Sequence, residues 1–181
     1  MNSGMKILLV DNHTKDIVEL KQLLGNFDFR TVLIEDFSAG LAEGFDLIIL
    51  SGGSGIRSVK NHPGDYVNEI DFIKNTDKKV IGICLGAQII AAGFGCDLVE
   101  LDAEHKGTTK ITLTKNGNTY DVYEAHRFAI TNVPDEIEVL ATSDHGIEMF
   151  KHKTKPLYGL QFHPEMFVDK MMGDEIFLNL L

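Results

Sequence analysis

Apolar positions along the chain follow two periods. Short apolar runs bounded by Gly, Asp or Asn alternate with longer segments in which apolar residues recur every three or four positions. That is the pattern of strands joined by crossover helices around a parallel sheet. Lys6 to Val10 predicts a first strand. Asp16 to Leu24 carries Ile17, Val18, Leu20, Leu23 and Leu24 at helical spacing and predicts a helix packed on the sheet, with Gly25 close to its end. Thr31 to Glu35 and Asp46 to Leu50 predict two more strands. After the Gly-rich turn Ser51 to Gly55, the spacing predicts a helix over Asp65 to Lys74, a short buried strand over Lys79 to Ile83, and a helix from Leu85 to about Phe94.

The second half changes character. Thr108 to Thr114 and Thr119 to Tyr123 flank Asn116-Gly117-Asn118, a strong hairpin signal. Further strands are expected at Glu138 to Ala141, Ile147 to Lys151 and Leu157 to Phe162, and a final helix over Val168 to Leu180. No repeat, low-complexity tract or Pro/Ser linker marks a boundary. The expectation is one three-layer α/β domain over residues 1–181 with a mainly parallel central sheet. Met5 stands just before the first apolar run, so residues 1–4 read as a dispensable leader.

Composition narrows the picture. A length of 181 residues is about one domain and excludes a synthetase with its own activation and donor domains. Seventeen Lys and Arg against 27 Asp and Glu give a net charge of -10, which leaves no broad basic surface for nucleic acid. Two cysteines suit a reducing compartment better than a disulfide-stapled secreted domain. With no long apolar window and no signal peptide pattern, the expectation is a cytoplasmic protein without a membrane partner.

Chemistry concentrates in three places. Gly82-Ile83-Cys84-Leu85-Gly86-Ala87-Gln88 lies where a buried strand meets a helix and has the form of a nucleophile elbow, with glycines two before and two after Cys84. Such a turn lifts the cysteine into the open, and the unpaired N–H groups of the helix start favour a thiolate. A base and an orienting acceptor for that nucleophile stand at Gln161-Phe162-His163-Pro164-Glu165. His163 and Glu165, two apart at the end of a strand, project to one side while Phe162 points to the core. The third place is Ile49-Leu50-Ser51-Gly52-Gly53-Ser54-Gly55, whose backbone N–H groups, with that of Leu85, are placed to form an oxyanion hole. It lacks the Lys-Ser/Thr of a phosphate-binding P-loop. His13, His62, His105, His145 and His152 show no metal-ligand spacing and read as surface residues. Cys96 reads as packing.

In this combination and order, KILLVDN, ILSGGSG, GICLGAQ and YGLQFHPE resemble the class I glutamine amidotransferases, over almost the whole chain. The resemblance implies a flavodoxin-like fold. It implies attack by Cys84 on the side-chain amide of L-glutamine to give a γ-glutamyl thioester, with His163 as general acid and base and Glu165 orienting it. Gly53 and Leu85 would supply oxyanion N–H groups, and Gly52, Gln88, Arg127 and Phe128 would contact substrate. The last two lie in Glu124-Ala125-His126-Arg127-Phe128-Ala129-Ile130, where the family offers backbone contacts to the glutamine α-groups. His126 matches no catalytic position of the family. No metal or cofactor is implied on this chain.

Within the family, Met149 to Gly159 and Val139 to Ser143 resemble the glutaminase subunits of two-subunit GMP synthases. That implies an ammonia-accepting partner subunit which binds ATP and Mg and aminates XMP. Met166-Phe167-Val168 after Glu165, the Phe128-Ala129-Ile130 stretch and the LLVDNH start depart from that group. They keep the anthranilate, aminodeoxychorismate and carbamoyl-phosphate synthetase glutaminases open as alternatives. A free-standing γ-glutamyl hydrolase and a catalytically quiet regulatory module are the readings outside the donor-subunit class.

Overall fold

The computed structural model describes residues 4–54, 57–166 and 172–181. Its strands are β1 (Lys6–Asn12), β2 (Asp28–Leu33), β3 (Leu47–Gly53), β4 (Lys79–Ile83), β5 (Leu98–Leu113), β6 (Thr119–Ile130), β7 (Ile137–Ser143), β8 (Gly146–His152) and β9 (Leu157–Leu160). Its α-helices are α1 (Ile17–Leu23), α2 (Ala39–Ala42), α3 (Val67–Asn75), α4 (Leu85–Gly93) and α5 (Gly173–Leu178).

The strands form one nine-stranded sheet in the order β2-β1-β3-β4-β9-β8-β7-β5-β6. Pairing is parallel from β2 through β9 in that order and antiparallel from β9 through β6. The mixed α/β architecture agrees with the fold expected from the sequence, and the antiparallel share is the part announced by the hairpin signal. In the parallel part, successive residues of one strand serve opposite layers. Leu8, Val10, Ile48, Leu50 and Val80 pack with Phe72 and Ile73 of α3 and Ile89 and Ile90 of α4. Ile7, Leu9, Leu47, Ile49 and Ile81 pack with Leu20, Leu23 and Leu24 around α1 and Phe177 of α5. Covering both faces is why these strands are continuously apolar.

Several boundaries differ from the sequence expectation. The ribbon of β5 and β6 is much longer than the predicted hairpin strands, reaching back to Leu98 and on to Ile130. Much of β5 is exposed on both faces, so no alternation of apolar and polar residues announced it. Strand β2 begins at Asp28 rather than Thr31, and Ile34–Asp36, expected to end it, is a 3₁₀ turn. Helix α2, capped by Ser38 Oγ accepting from Leu41 N at 3.2 Å, is too short to show a period. Strand β9 stops at Leu160 rather than Phe162. Of the expected last helix, Val168 to Met171 lie outside the described residues, and α5 covers only Gly173–Leu178. Of the expected leader, residues 1–3 lie outside them too, and Gly4 is an exposed turn residue.

Candidate active site

Strand β4 turns into helix α4 through a single residue, Cys84, held at φ 48° and ψ -102°. The two glycines around it are demanded by close packing. A Cβ at Gly82 would lie 2.6 Å from Ala87 N and closer still to the Gly86 carbonyl, and one at Gly86 would overlap the Leu50 carbonyl oxygen of β3. The elbow therefore exists because the first turn of α4 sits directly on β4 and β3. In one respect the expectation fails: the turn does not lift Cys84 into the open. The residue is only 7% exposed, because the β6 segment Ala125–Phe128 closes over it and Ala125 O lies 3.7 Å from Sγ.

His163 is 4% exposed and Glu165 fully buried. His163 Nδ1 donates to Glu165 Oε1 at 2.8 Å. The two are not at a strand end as expected but in the turn after β9, which is pinned by His163 N donating to Tyr123 O at 2.8 Å. With Nδ1 protonated toward Glu165, Nε2 is the atom left for the cysteine, and it has no hydrogen-bond partner among the described residues. Burial opposes a charge on this imidazole. Cys84 and the Glu165 carboxylate outweigh it and hold the imidazole pKa well above its ordinary value. Gly52 separates the two side chains: a Cβ there would stand 3.2 Å from His163 Cε1 and 3.7 Å from Cys84 Cβ.

The sequence-predicted residues converge. Gly53, Cys84, Leu85, Gln88, Arg127 and Phe128 line one cavity of about 50 Å³. Gln88 is buried, and its Nε2 donates to Phe128 O at 3.0 Å and to Gln161 Oε1 at 3.2 Å. Arg127 reaches outward, with Nη1 3.7 Å from Glu100 Oε1. Gly55, the end of the expected oxyanion loop, lies outside the described residues, and Ser51–Gly53 are part of β3 rather than a turn.

One neighbour was not foreseen: Asp16, capping α1, places Oδ2 4.0 Å from His163 Nδ1. Burial raises its carboxyl pKa, more than His163 lowers it. Asp16 is far from His163 in the chain, and only the α1 layer brings it there.

The reading of the remaining histidines as surface residues needs correction. His152 is buried, with Nδ1 accepting from Thr154 N and Lys155 N at 3.1 Å each. His105 and His145 stack at 3.6 Å between centroids. His105 Nε2 lies 3.0 Å from Oε2 of the buried Glu124, which also meets Thr109 Oγ1 at 3.0 Å and His126 Nε2 at 3.3 Å. These pairs arise from the register of β5 against β6, where His105 faces His126 across the ribbon, a proximity that no local spacing reveals. His105, Glu124 and His145 are close enough to share an ion, as are Asp16, His163 and Glu165 and the buried set Glu124, His126 and Glu148. Cys96 is buried as expected, and burial pushes its thiol up to about 11.

A second cavity of about 590 Å³ lies across Leu85 from the first, with Asn12, Tyr66 and Glu69 in its lining. Glu69 is fully buried, and neither carboxylate oxygen meets a donor among the described residues. Burial pushes its pKa up to about 8, with only partial relief from Asn12. A carboxyl raised in the folded state gives full stability below its unfolded pKa of 4.5 and loses it as pH climbs through about 8. Glu69→Gln removes the titration. Its urea-unfolding stability should hold nearly level from pH 5 to 8 while the wild type falls, opening a gap of about 1 kcal/mol per pH unit. Parallel profiles for the two proteins would contradict the assignment.

Comparison with known proteins agrees with this geometry. The family described as Glutamine amidotransferase class-I matches residues 8–180. The chain belongs to the class I glutamine amidotransferases. Membership makes this amidotransferase an enzyme of the glutaminase type. It is 37% identical over 140 residues to the glutamine-hydrolysing GMP synthase subunit of Methanocaldococcus jannaschii, covering 73% of this chain and 70% of that one. To the subunit of the same name from Thermoplasma acidophilum it is 30% identical, over 98% of this chain and 92% of the relative. A crystal structure of a T. acidophilum protein assigned to the same GMP synthase subunit superposes with a TM-score of 0.84 at 29% identity, covering 97% of this chain and 92% of that one. A Thermotoga maritima glutamine amidotransferase, 18% identical, shares the fold with a TM-score of 0.70 over 96% of this chain and 81% of its own. Among the described residues no helix of this amidotransferase is long and apolar enough to cross a membrane.

Proposed function

We propose that this amidotransferase hydrolyses the side-chain amide of L-glutamine at Cys84 and delivers the ammonia to a separate, ATP-dependent synthetase subunit that converts XMP to GMP. The observation that carries the chemistry is the buried assembly of Cys84, His163 and Glu165 beside the cavity lined by Gln88, Arg127 and Phe128. Cys84 Sγ, its proton passed to His163 Nε2, attacks the amide carbonyl. The backbone N–H groups of Gly53 and Leu85 receive the oxyanion. His163 then protonates the departing ammonia, leaving the γ-glutamyl thioester, and takes a proton from the water that releases glutamate. Glu165 holds the imidazole in the required tautomer throughout.

Two observations support the acceptor. The relatives matched over nearly their full length carry the name of the glutamine-hydrolysing GMP synthase subunit, and their length leaves XMP activation to another chain. The cavity beside Cys84, about 50 Å³, is far below the roughly 300 Å³ of an ordinary small-ligand site. Glutamine therefore enters only when the Ala125–Phe128 segment moves, a movement that docking of the synthetase is suited to cause.

The test is glutamate release by the purified chain, alone and with a GMP-forming synthetase subunit, XMP, ATP and Mg²⁺. Slow release alone, raised about tenfold or more in the complete mixture and coupled to GMP, is the expected result. Fast release alone, with preference for γ-glutamyl amides larger than glutamine, would make it a free-standing hydrolase. Silence in both mixtures would overturn the reading.

A further inference from the structure

Cys84 Sγ has two polar neighbours besides the histidine: the Gln161 carboxamide at 3.6 Å and Ala125 O at 3.7 Å. The oxygen and nitrogen of a carboxamide look alike by position, so which end of Gln161 faces sulfur has to be settled by what the other end touches. The contacts settle it from the backbone outward. Phe128 O is a carbonyl and only accepts, so the Gln88 atom 3.0 Å away is the Nε2 donor. That same nitrogen lies 3.2 Å from Gln161, whose facing atom must then accept and is Oε1. The opposite end of Gln161, the end against Sγ, is therefore the amino group. His126 Nδ1, 2.9 Å from the same Phe128 oxygen, is a second donor to it. Gln161 is itself anchored through its N–H to Glu148 O at 2.8 Å. Gln161 and Gln88 are both buried, so water offers no competing partner that would let either amide turn over.

We propose that Gln161 is a further catalytic residue of this site, an N–H donor that stabilises the Cys84 thiolate, its orientation imposed by Gln88 through the Phe128 carbonyl. This rests on Cys84 being the nucleophile. The two contacts at sulfur favour opposite states. A neutral thiol donates to Ala125 O. A thiolate has nothing to give Ala125 and accepts from Gln161 Nε2 in a hydrogen bond strengthened by the charge. When the Sγ proton moves to His163 Nε2, the first contact is lost and the second gains. The same donor favours thiolate departure when water cleaves the thioester. The charged groups around sulfur are His163, with Glu165 and Asp16 behind it, and Glu148 of β8. Gln161 is the neutral member that touches sulfur directly.

The experiment is iodoacetamide alkylation of Cys84 in the full chain as a function of pH, without substrate, in a Cys96→Ser background. The isosteric Gln161→Met removes the donor and keeps the volume. Its alkylation rate at pH 7 should fall about tenfold, and the pH of half-maximal rate should rise by about one unit, the size expected for losing one hydrogen bond to a charged acceptor. Gln88→Met, which frees the Gln161 carboxamide to turn over, should shift the midpoint the same way by a smaller amount and carries the test if Gln161→Met does not fold. A wild type alkylated readily at neutral pH with variants of unchanged midpoint would overturn the role of Gln161 while leaving Cys84 as nucleophile. A wild-type midpoint at the value of an ordinary free thiol would overturn both.

Discussion

Cys84→Ala is expected to lower glutamate release by about 10⁴-fold or more, because no other group in the site can form the thioester that divides the reaction into two steps. What distinguishes this variant from a merely damaged protein is its stability. Cys84 is held at φ 48° and ψ -102°, backbone that a side-chain-bearing residue occupies at a cost of about 1–3 kcal/mol. Alanine inherits that strain, so Cys84→Ala should unfold near the wild-type urea midpoint. Cys84→Gly is equally unable to form a thioester but relieves the strain, and part of the gain is offset by the greater freedom of glycine in the unfolded chain. It should be more stable than Cys84→Ala by about 1 kcal/mol. Activity and stability thus move independently at one position. Glutamate release within tenfold of wild type in Cys84→Ala would remove Cys84 from the mechanism. A Cys84→Gly protein no more stable than Cys84→Ala would show that the elbow holds no strain.

The residues that betray this site in the sequence are those whose partners are close in the chain. Gly82, Cys84 and Gly86 occupy one turn, and His163 and Glu165 are two apart, so local spacing exposes them. The same holds for β1, β3 and β4, where cover on both faces leaves unbroken apolar runs. What the sequence hid came from long-range register. Asp16 approaches His163 across the α1 layer, Gln161 meets Cys84 only because β9 pairs with β4, and His105 meets Glu124 and His126 only across the β5–β6 ribbon. Burial of the nucleophile was hidden for a related reason. Strand ends at Leu98 and Ile130 carry no local signal, so neither the length of the ribbon nor its closure over Cys84 was readable. Gln88 shows the limit most plainly. Its place one helical turn after Cys84 marks it for the site, yet whether its amide faces substrate or Gln161 depends on the carbonyl of Phe128, forty positions away.

Gly86→Ala should be the most damaging single methyl in the chain. The added Cβ would overlap Leu50 O and stand 2.8 Å from Leu50 C, both backbone atoms of β3. A side chain can rotate away from such a clash, but β3 is fixed between β1 and β4 by parallel pairing on both edges. Helix α4 must therefore lift, and it carries Leu85 and Gln88 with it. The α4 residues Ala87, Ile89, Ile90 and Ala91 are all fully buried, so lifting opens gaps along a whole layer of the core. Overpacking and lost contacts together should cost about 3–5 kcal/mol, enough to leave a domain of ordinary stability largely unfolded. Gly64→Ala supplies the contrast: no atom lies within 4 Å of a Cβ there, and its urea midpoint should match the wild type. Urea unfolding followed by circular dichroism, with glutamate release measured on the same samples, checks both. If Gly86→Ala folds with a wild-type midpoint, the first turn of α4 does not rest on β3, and the physical reason for glycine two residues after the nucleophile falls with it.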